Sequence, residues 1–333
     1  MNQMNKATLT WNRGKAEMHS LGAMLAPVDF TLPNGRNISP LHIAPWANEP
    51  NLENYPAIIR GPRGEWPCVP FGVPPIEASS DEISHLNIGS EEYPHGYGAN
   101  HYWDLSSIIP EQITAQIQYP TKSDIHQLKR TVIGVKDEAR LEINLSIEAR
   151  HDISIPIGLH PTFRLPSTIG GMRLVPSACD QIWTYPAKLE ANRLFKGNKC
   201  YSDLSAIPAI DGSIIDASRV PFKDKCEEIL VLTGIDGKFT LENLEEGYRV
   251  ILKWNKNHFP SLMIWVSNLG RSKEPWNGRN LCVGVEPICS VFDFGTNVSN
   301  MPSRFSKDGI RTALSLKAGQ KWETNYSIEV EPL

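Results

Sequence analysis

An all-β fold is expected from three observations. Residues 141–149 (Leu141, Glu142, Ile143, Asn144, Leu145, Ser146, Ile147, Glu148, Ala149) alternate apolar and polar without interruption, the two-residue period of a strand with one buried face. The 26 prolines and 24 glycines are spread along all 333 residues rather than clustered, which punctuates the chain into many short elements. Helical periodicity is weak throughout. Together these predict one domain over residues 1–333, built of two or more large antiparallel sheets packed face to face. Long loops would then build a cleft on one concave face.

The elements follow in order. Asn34-Gly35 is a hairpin-turn signal. Residues 44–75 are loop-rich, and residues 80–86 could hold a helical turn or two. Residues 113–117 alternate as a strand and precede the run at 141–149. A second loop-rich stretch covers 184–220, with a shorter helical turn at 202–204. Asp236-Gly237 is another hairpin signal. Strands are expected at 249–254, 262–266 and 326–330, with a third loop-rich stretch at 270–280.

Composition narrows the function. Hydrophobic residues make up 41% and charged residues 21%, ordinary values for a globular protein in water. The formal net charge is −4 and no basic run occurs, so a nucleic-acid partner is not expected. No apolar stretch reaches membrane-spanning length, and a membrane role is not expected. The polar start from Met1 to Lys6 is followed by no apolar run, so no secretory signal is expected. The six cysteines are scattered without a CxxC pair. Free thiols in a reducing cytoplasm, and hence a cytoplasmic location, are the expectation.

Three titratable residues carry the chemical argument. Glu286 stands in an apolar, β-branched run from Leu281 to Ile288. Val283 and Val285 point one way from such a strand, and Glu286 points the other. A carboxylate placed there needs a partner, a cavity or a proton, and its pKa is expected to rise. A salt-bridged strand glutamate is the plainer alternative. Pro161 holds His160 toward extended backbone. Pro94 and Gly96 bracket His95 in a turn that lets a ligand approach. Either histidine could instead serve the core or the turn. Histidine titrates near neutrality. Two histidines and a carboxylate suffice for acid–base work on a neutral polar substrate.

Four ordered segments resemble the aldose 1-epimerase (galactose mutarotase-like) superfamily, and within it the hexose-phosphate epimerase-like branch. His95-Gly96-Tyr97-Gly98-Ala99-Asn100-His101-Tyr102-Trp103 is similar to that branch's H-G-[FY]-A-R-N-x-x-W. Leu159-His160-Pro161-Thr162-Phe163 resembles its H-P-[YT]-F, and Cys282-Val283-Gly284-Val285-Glu286-Pro287 its C-V-E-P. Arg60-Gly61 through Phe71-Gly72 is similar to its R-G-G-I-P-x-x-x-P-x-F-G, with altered spacing. The resemblance implies a large antiparallel β-supersandwich and a cofactor-independent interconversion of the α and β anomers of a sugar. It implies Glu286 as the base at the anomeric hydroxyl, His160 as the acid at the ring oxygen, and His95 steadying the developing charge.

A sugar site needs aromatic faces and a few polar groups. Trp66, Trp103, Phe163 and Trp276 are candidates for the first, and Asp211 with Arg60 or Arg63 for the second. Where the branch has an arginine that helps hold phosphate, this chain has Ala99, which argues against a sugar 6-phosphate, although the segment 270–276 carries replacement charge. The separation of His95 and His101 fits no common metal-ligand spacing, so no metal is expected. His101 is read as cleft rim or surface. The expected partner is a small-molecule sugar, and a homodimer is left open. A non-catalytic carbohydrate-binding or regulatory protein on the same sandwich is the alternative reading.

Overall fold

The structure, a computed structural model, describes residues 5–76, 85–189 and 192–333. Among these residues two large antiparallel sheets dominate, one of nine strands and one of eight. In the nine-stranded sheet the strand Arg140–Ala149 lies between Lys321–Pro332 and Ile125–Gly134. Its alternation is realised as read: Leu141, Ile143, Leu145, Ile147 and Ala149 are buried, while Glu142, Asn144, Ser146 and Glu148 are not. The expected strands at 113–117, 249–254 and 326–330 fall inside Gln112–Gln118, Tyr248–Trp254 and Lys321–Pro332 of this same sheet.

The eight-stranded sheet is different in kind. Its central strands Cys226–Thr233, Ser261–Asn268 and Leu281–Cys289 are buried along nearly their whole lengths. Burial on both faces erases the apolar/polar alternation. Val283, Val285, Ile264, Val266, Leu230 and Leu232 face one continuous core shared with the nine-stranded sheet. Ile288, Met263, Ile229 and Val231 face the other way, into a second apolar cluster with Trp66, Phe71, Tyr185 and Phe292. Loops cover that second face, and the cleft opens there. Burying one such aliphatic side chain contributes about 1.5–3 kcal/mol.

A four-stranded sheet from Lys6–Trp11 through Asn37–Ile38 packs its apolar side into the shared core. Asn34-Gly35 does turn between its last two strands: Gly35 has φ +83°, and the amide of Leu32 donates to the carbonyl of Arg36. Asp236-Gly237 is not a hairpin. The strand before it belongs to the eight-stranded sheet and the strand after it, Lys238–Asn243, to the nine-stranded one. The same turn chemistry therefore carries the chain across the sandwich. Residues 202–204 form a turn rather than a helical segment. Of the helical expectation at 80–86, residues 80–84 lie outside the described residues. No helix among the described residues is long and apolar enough to cross a membrane.

Candidate functional site

The site is set by strand register. Ile157–Leu159 pairs with the Glu286 strand through Gly158 opposite Ile288. Thr162–Arg164 pairs with the same strand through Thr162 opposite Gly284. The register is the same on both sides of the break, which sets His160 opposite Glu286. Pro161 has no amide to donate, so the ladder opens there, and its carbonyl accepts from Val285 at 2.9 Å. Directly opposed residues of neighbouring strands project to the same face. His160 Nε2 accordingly lies 3.5 Å from Glu286 Oε1.

Thr162 and Trp66 fix the imidazole. Its Nδ1 lies 3.1 Å from the Thr162 hydroxyl. Trp66 stacks on the ring, with centroids 4.2 Å apart and planes 19° off parallel. The His160 amide donates to the Trp66 carbonyl at 2.9 Å. Beside Trp66, Glu65 is fully buried, paired with Arg130 and accepting from the Tyr326 hydroxyl, which ties this wall of the cleft to the nine-stranded sheet.

His95 comes from a separate element. It precedes the short helix Gly96–Asn100 with φ +58°, in the left-handed region that histidine tolerates better than most residues. Gly96, at φ +87°, sits so close to the Val69 carbonyl that a Cβ would fall 2.1 Å from its oxygen. Asn100 then locks the turn, donating to the carbonyls of Pro94 (2.7 Å) and Gly96 (2.9 Å). The result is a His95 ring 5.1 Å from that of His160, at 77°.

Together these residues line a cavity of about 570 Å³ that also touches Asp293, Tyr185, Trp265, Arg271 and Trp276. Neither oxygen of Glu286 has a hydrogen-bond partner among the described residues. Burial pushes its carboxyl well above the usual carboxylate range, and the charge of Asp293 adds to that. Burial lowers His160 well below the usual histidine value, with His95 contributing. Burial alone brings His95 down to about 4. Asp293, whose Oδ1 accepts from the Tyr185 hydroxyl at 2.7 Å, is raised by burial to about 6. Both shifts favour the neutral forms, a protonated Glu286 beside an uncharged His160.

Several expected contacts need correction. Trp103 is fully buried, and its indole donates to the Gly98 carbonyl, so it belongs to the core beneath the helix. Phe163 is also fully buried: three residues after His160, it points to the opposite face and into the shared core. Asp211 lies on an exposed turn, bonded to the amide and hydroxyl of Ser213. Arg60 donates to the Tyr55 carbonyl and does not line the cavity. Arg63 does line it. Its guanidinium is nonetheless committed to the carbonyls of Gly61 and Ala47, to Asn48 and to His19, so it holds the 44–61 loop as a wall.

Trp66 and Trp276 line the cavity as expected. His101 stacks on Tyr97 with Nδ1 2.9 Å from the Tyr97 carbonyl, away from the cavity lining. Among the described residues no three His, Cys, Asp or Glu side chains are grouped to hold a metal ion. Ala99 is buried outside the cavity lining, while Arg63, Lys188, Arg271 and Lys273 are part of it, so the lack of an arginine at 99 does not leave the cleft without positive charge.

Sequence reasoning missed Asp293, Tyr185 and Trp265, whereas Arg271 belongs to the segment 270–276 that was expected to carry charge. Trp265 donates to Glu227 at 2.8 Å, and Arg271 lies over the rings of Trp265 and Trp276 at 5.7 and 5.0 Å. Asp293 had a readable signal, a lone carboxylate within Val291-Phe292-Asp293-Phe294, the same kind of signal that singled out Glu286.

No protein-family model and no curated protein matches the sequence. Solved structures do match. A candidate aldose 1-epimerase of Escherichia coli K12 superposes with TM-score 0.65 at 15% identity, over 98% of this chain and 99% of that one. The chain has the galactose mutarotase-like fold. A galactose mutarotase-like protein of Clostridium acetobutylicum gives TM-score 0.62 at 14% identity, over 98% and 95% of the two chains. A galactose mutarotase related enzyme of Lactobacillus acidophilus gives 0.57 at 14%, over 98% and 97%. In this mutarotase-like fold the cleft over the eight-stranded sheet is where Glu286, His160 and His95 converge.

Proposed function

We propose that this protein is a cofactor-independent aldose 1-epimerase that interconverts the α and β anomers of a sugar. The observation that carries the reading is the His160–Glu286 contact at 3.5 Å on the cavity floor, with both Glu286 oxygens otherwise unpartnered. Anomer exchange needs one group to take the proton of the anomeric hydroxyl while another protonates the ring oxygen. The ring opens to an aldehyde, C1 turns over, and closure returns both protons. A pair that holds one proton and can pass it either way meets this demand, since closure reverses the roles taken in opening. Glu286 takes the hydroxyl proton and His160 serves the ring oxygen. His95, kept neutral, supports the same region by hydrogen bonding. Substrate hydroxyls would supply hydrogen bonds to the Glu286 oxygens, which have none among the described residues, and so favour transfer of the Glu286 proton to His160, leaving the carboxylate as base and the imidazolium as acid.

The aromatic walls support the reading. Trp66, Trp265 and Trp276 line the cavity and suit the C–H-rich faces of a pyranose. Polarimetry or NMR exchange on freshly dissolved sugars tests it. Accelerated approach to anomeric equilibrium, lost in Glu286→Gln, is the expected result. Sugar binding without any acceleration would make this a carbohydrate-binding protein instead.

A further inference from the structure

Besides Glu286 the cavity lining includes Asp293, a carboxylate to which the proposed exchange at C1 gives no role. Asp293 lies seven residues beyond Glu286, past the end of the strand Leu281–Cys289, yet it lines the same cavity. Its backbone is bent to put it there. Phe292, a bulky residue, is held at φ +48°, a conformation that costs energy and persists only where surrounding contacts impose it. Those contacts are present. The Ser290 hydroxyl donates to the Phe292 carbonyl at 2.6 Å, and the Val73 amide donates to the Asp293 carbonyl at 3.0 Å.

The side chain is buried to all but 7%, and its charge is expensive there. Among the described residues, charged and titratable groups that act on it or that it acts on include Tyr185 from beyond the strand Gln181–Thr184, Arg271 from the 270–280 loop, and Glu286. Among the described residues the Tyr185 hydroxyl bonds to it, at 2.7 Å on Oδ1, and its own backbone amide donates to the carboxyl as well. A carboxylate has about four acceptor positions. Asp293 therefore lines the cavity with acceptor positions that the two donors named do not fill, while Tyr185 fixes its orientation. His160 stands opposite Glu286 in strand register, so the C1 and ring-oxygen end of a sugar belongs to that pair. Asp293 is presented to the same cavity by a different segment.

We propose that Asp293, held by Tyr185, is a substrate-contacting carboxylate that accepts a hydrogen bond from one ring hydroxyl other than the anomeric one, and so selects sugars that carry that hydroxyl in the right configuration. This rests on the reading of the cleft as an aldose site.

The test is a cycle of protein variants against deoxy sugars, using the full chain. Glucose, galactose and their 2-, 3-, 4- and 6-deoxy analogues are titrated by ligand-observed NMR, and anomer exchange is followed separately. For the wild type, one deoxy analogue is expected to bind about 10- to 100-fold more weakly than its parent, the range of a hydrogen bond to a charged group. Asp293→Asn is expected to lose a similar factor on the parent sugars and nothing further on that one analogue. Tyr185→Phe should show a smaller loss with the same pattern. An Asp293→Asn effect equal on every analogue, or absent, overturns the proposal. Should that variant fail to fold, a wild-type scan in which no single hydroxyl stands out, or a Tyr185→Phe loss equal on every analogue, overturns it just as well. Binding is read apart from turnover. Sugar binding with no anomer exchange refutes the epimerase reading while the cycle still decides the role of Asp293, and no binding by any of the sugars overturns both.

Discussion

Asp293→Asn should make the protein more stable at neutral pH, by an amount that vanishes in acid. The wild-type carboxyl is raised from its usual 3.8 to about 6, chiefly by burial. The folded protein thus keeps its proton up to about pH 6, whereas the unfolded chain releases it near the ordinary value. As pH rises between the two, the unfolded state gains and stability is lost. The cost is absent below the unfolded pKa and complete above about pH 6. A shift of about two units corresponds to about 3 kcal/mol. For 333 residues the unfolding entropy is about 0.7 kcal/mol/K, so removing that cost raises Tm by about 4 °C. Asparagine keeps an acceptor for the Tyr185 hydroxyl, so the substitution removes the charge and little else. It also relieves Glu286, whose carboxyl Asp293 helps to raise. Thermal unfolding of both proteins at pH 4 and pH 7.5 is the assay. A gain of about 4 °C at the higher pH that shrinks toward zero at the lower one is expected. An Asp293→Asn protein less stable than wild type at pH 7.5, or a difference that does not change with pH, would refute the reasoning.

Other substitutions separate position from chemistry. Glu286→Gln should retain sugar binding and lose about 10²–10⁴-fold in anomer exchange, the usual contribution of a general acid or base; unchanged exchange would remove Glu286 from the mechanism. Gly284→Ala should impair exchange without replacing any titratable group, because a Cβ at 284 would fall 2.5 Å from Glu286 Oε1 and push the carboxylate away from His160. That displaced atom is the end of a flexible side chain, so circular dichroism and Tm should stay near wild type, and full activity would show that the carboxylate position is not critical. His95→Gln should reduce acid sensitivity. The folded His95 stays neutral down to about 4 while the unfolded chain protonates near 6.5, so stability contributed by His95 is present above about 6.5 and lost as pH falls toward 4. Unfolding midpoints compared at pH 4.5 and 7 check this, and an unaltered acid loss in the variant would contradict it.

Much of the fold was legible because one face of the nine-stranded sheet meets water. The alternation at Leu141 to Ala149 records that directly. Lys6–Trp11 alternates just as cleanly, with every second residue buried. The eight-stranded sheet left a different trace. Covered on both sides, Cys226–Thr233 shows no period, and only the isolated acids within such runs mark a cavity. That signal worked for Glu286. The same signal is present at Asp293, between Phe292 and Phe294.

The aromatic and arginine assignments failed for one reason. Residue type does not say which face of a strand or which end of a loop a side chain occupies. Phe163 and Thr162 are neighbours in sequence, yet Thr162 lines the cavity and Phe163 fills the core. Asn100 and Trp103, within the segment that resembles the epimerases, turn out to build the helix that presents His95. Arg63 spends its donors on backbone carbonyls that no local pattern could reveal.

By itself, the amino-acid sequence determined the sheet-rich class and the three residues with unusual surroundings, because hydrophobic periodicity and the cost of isolated buried charge are local properties. The tertiary structure alone decided which of them meet. His160 faces Glu286 because two strand segments share one register across a proline break. Asp293 joins them because Phe292 bends the backbone and Tyr185 holds the carboxylate. Contacts between residues more than a hundred positions apart depend on how sheets pair and pack, and no local pattern encodes that.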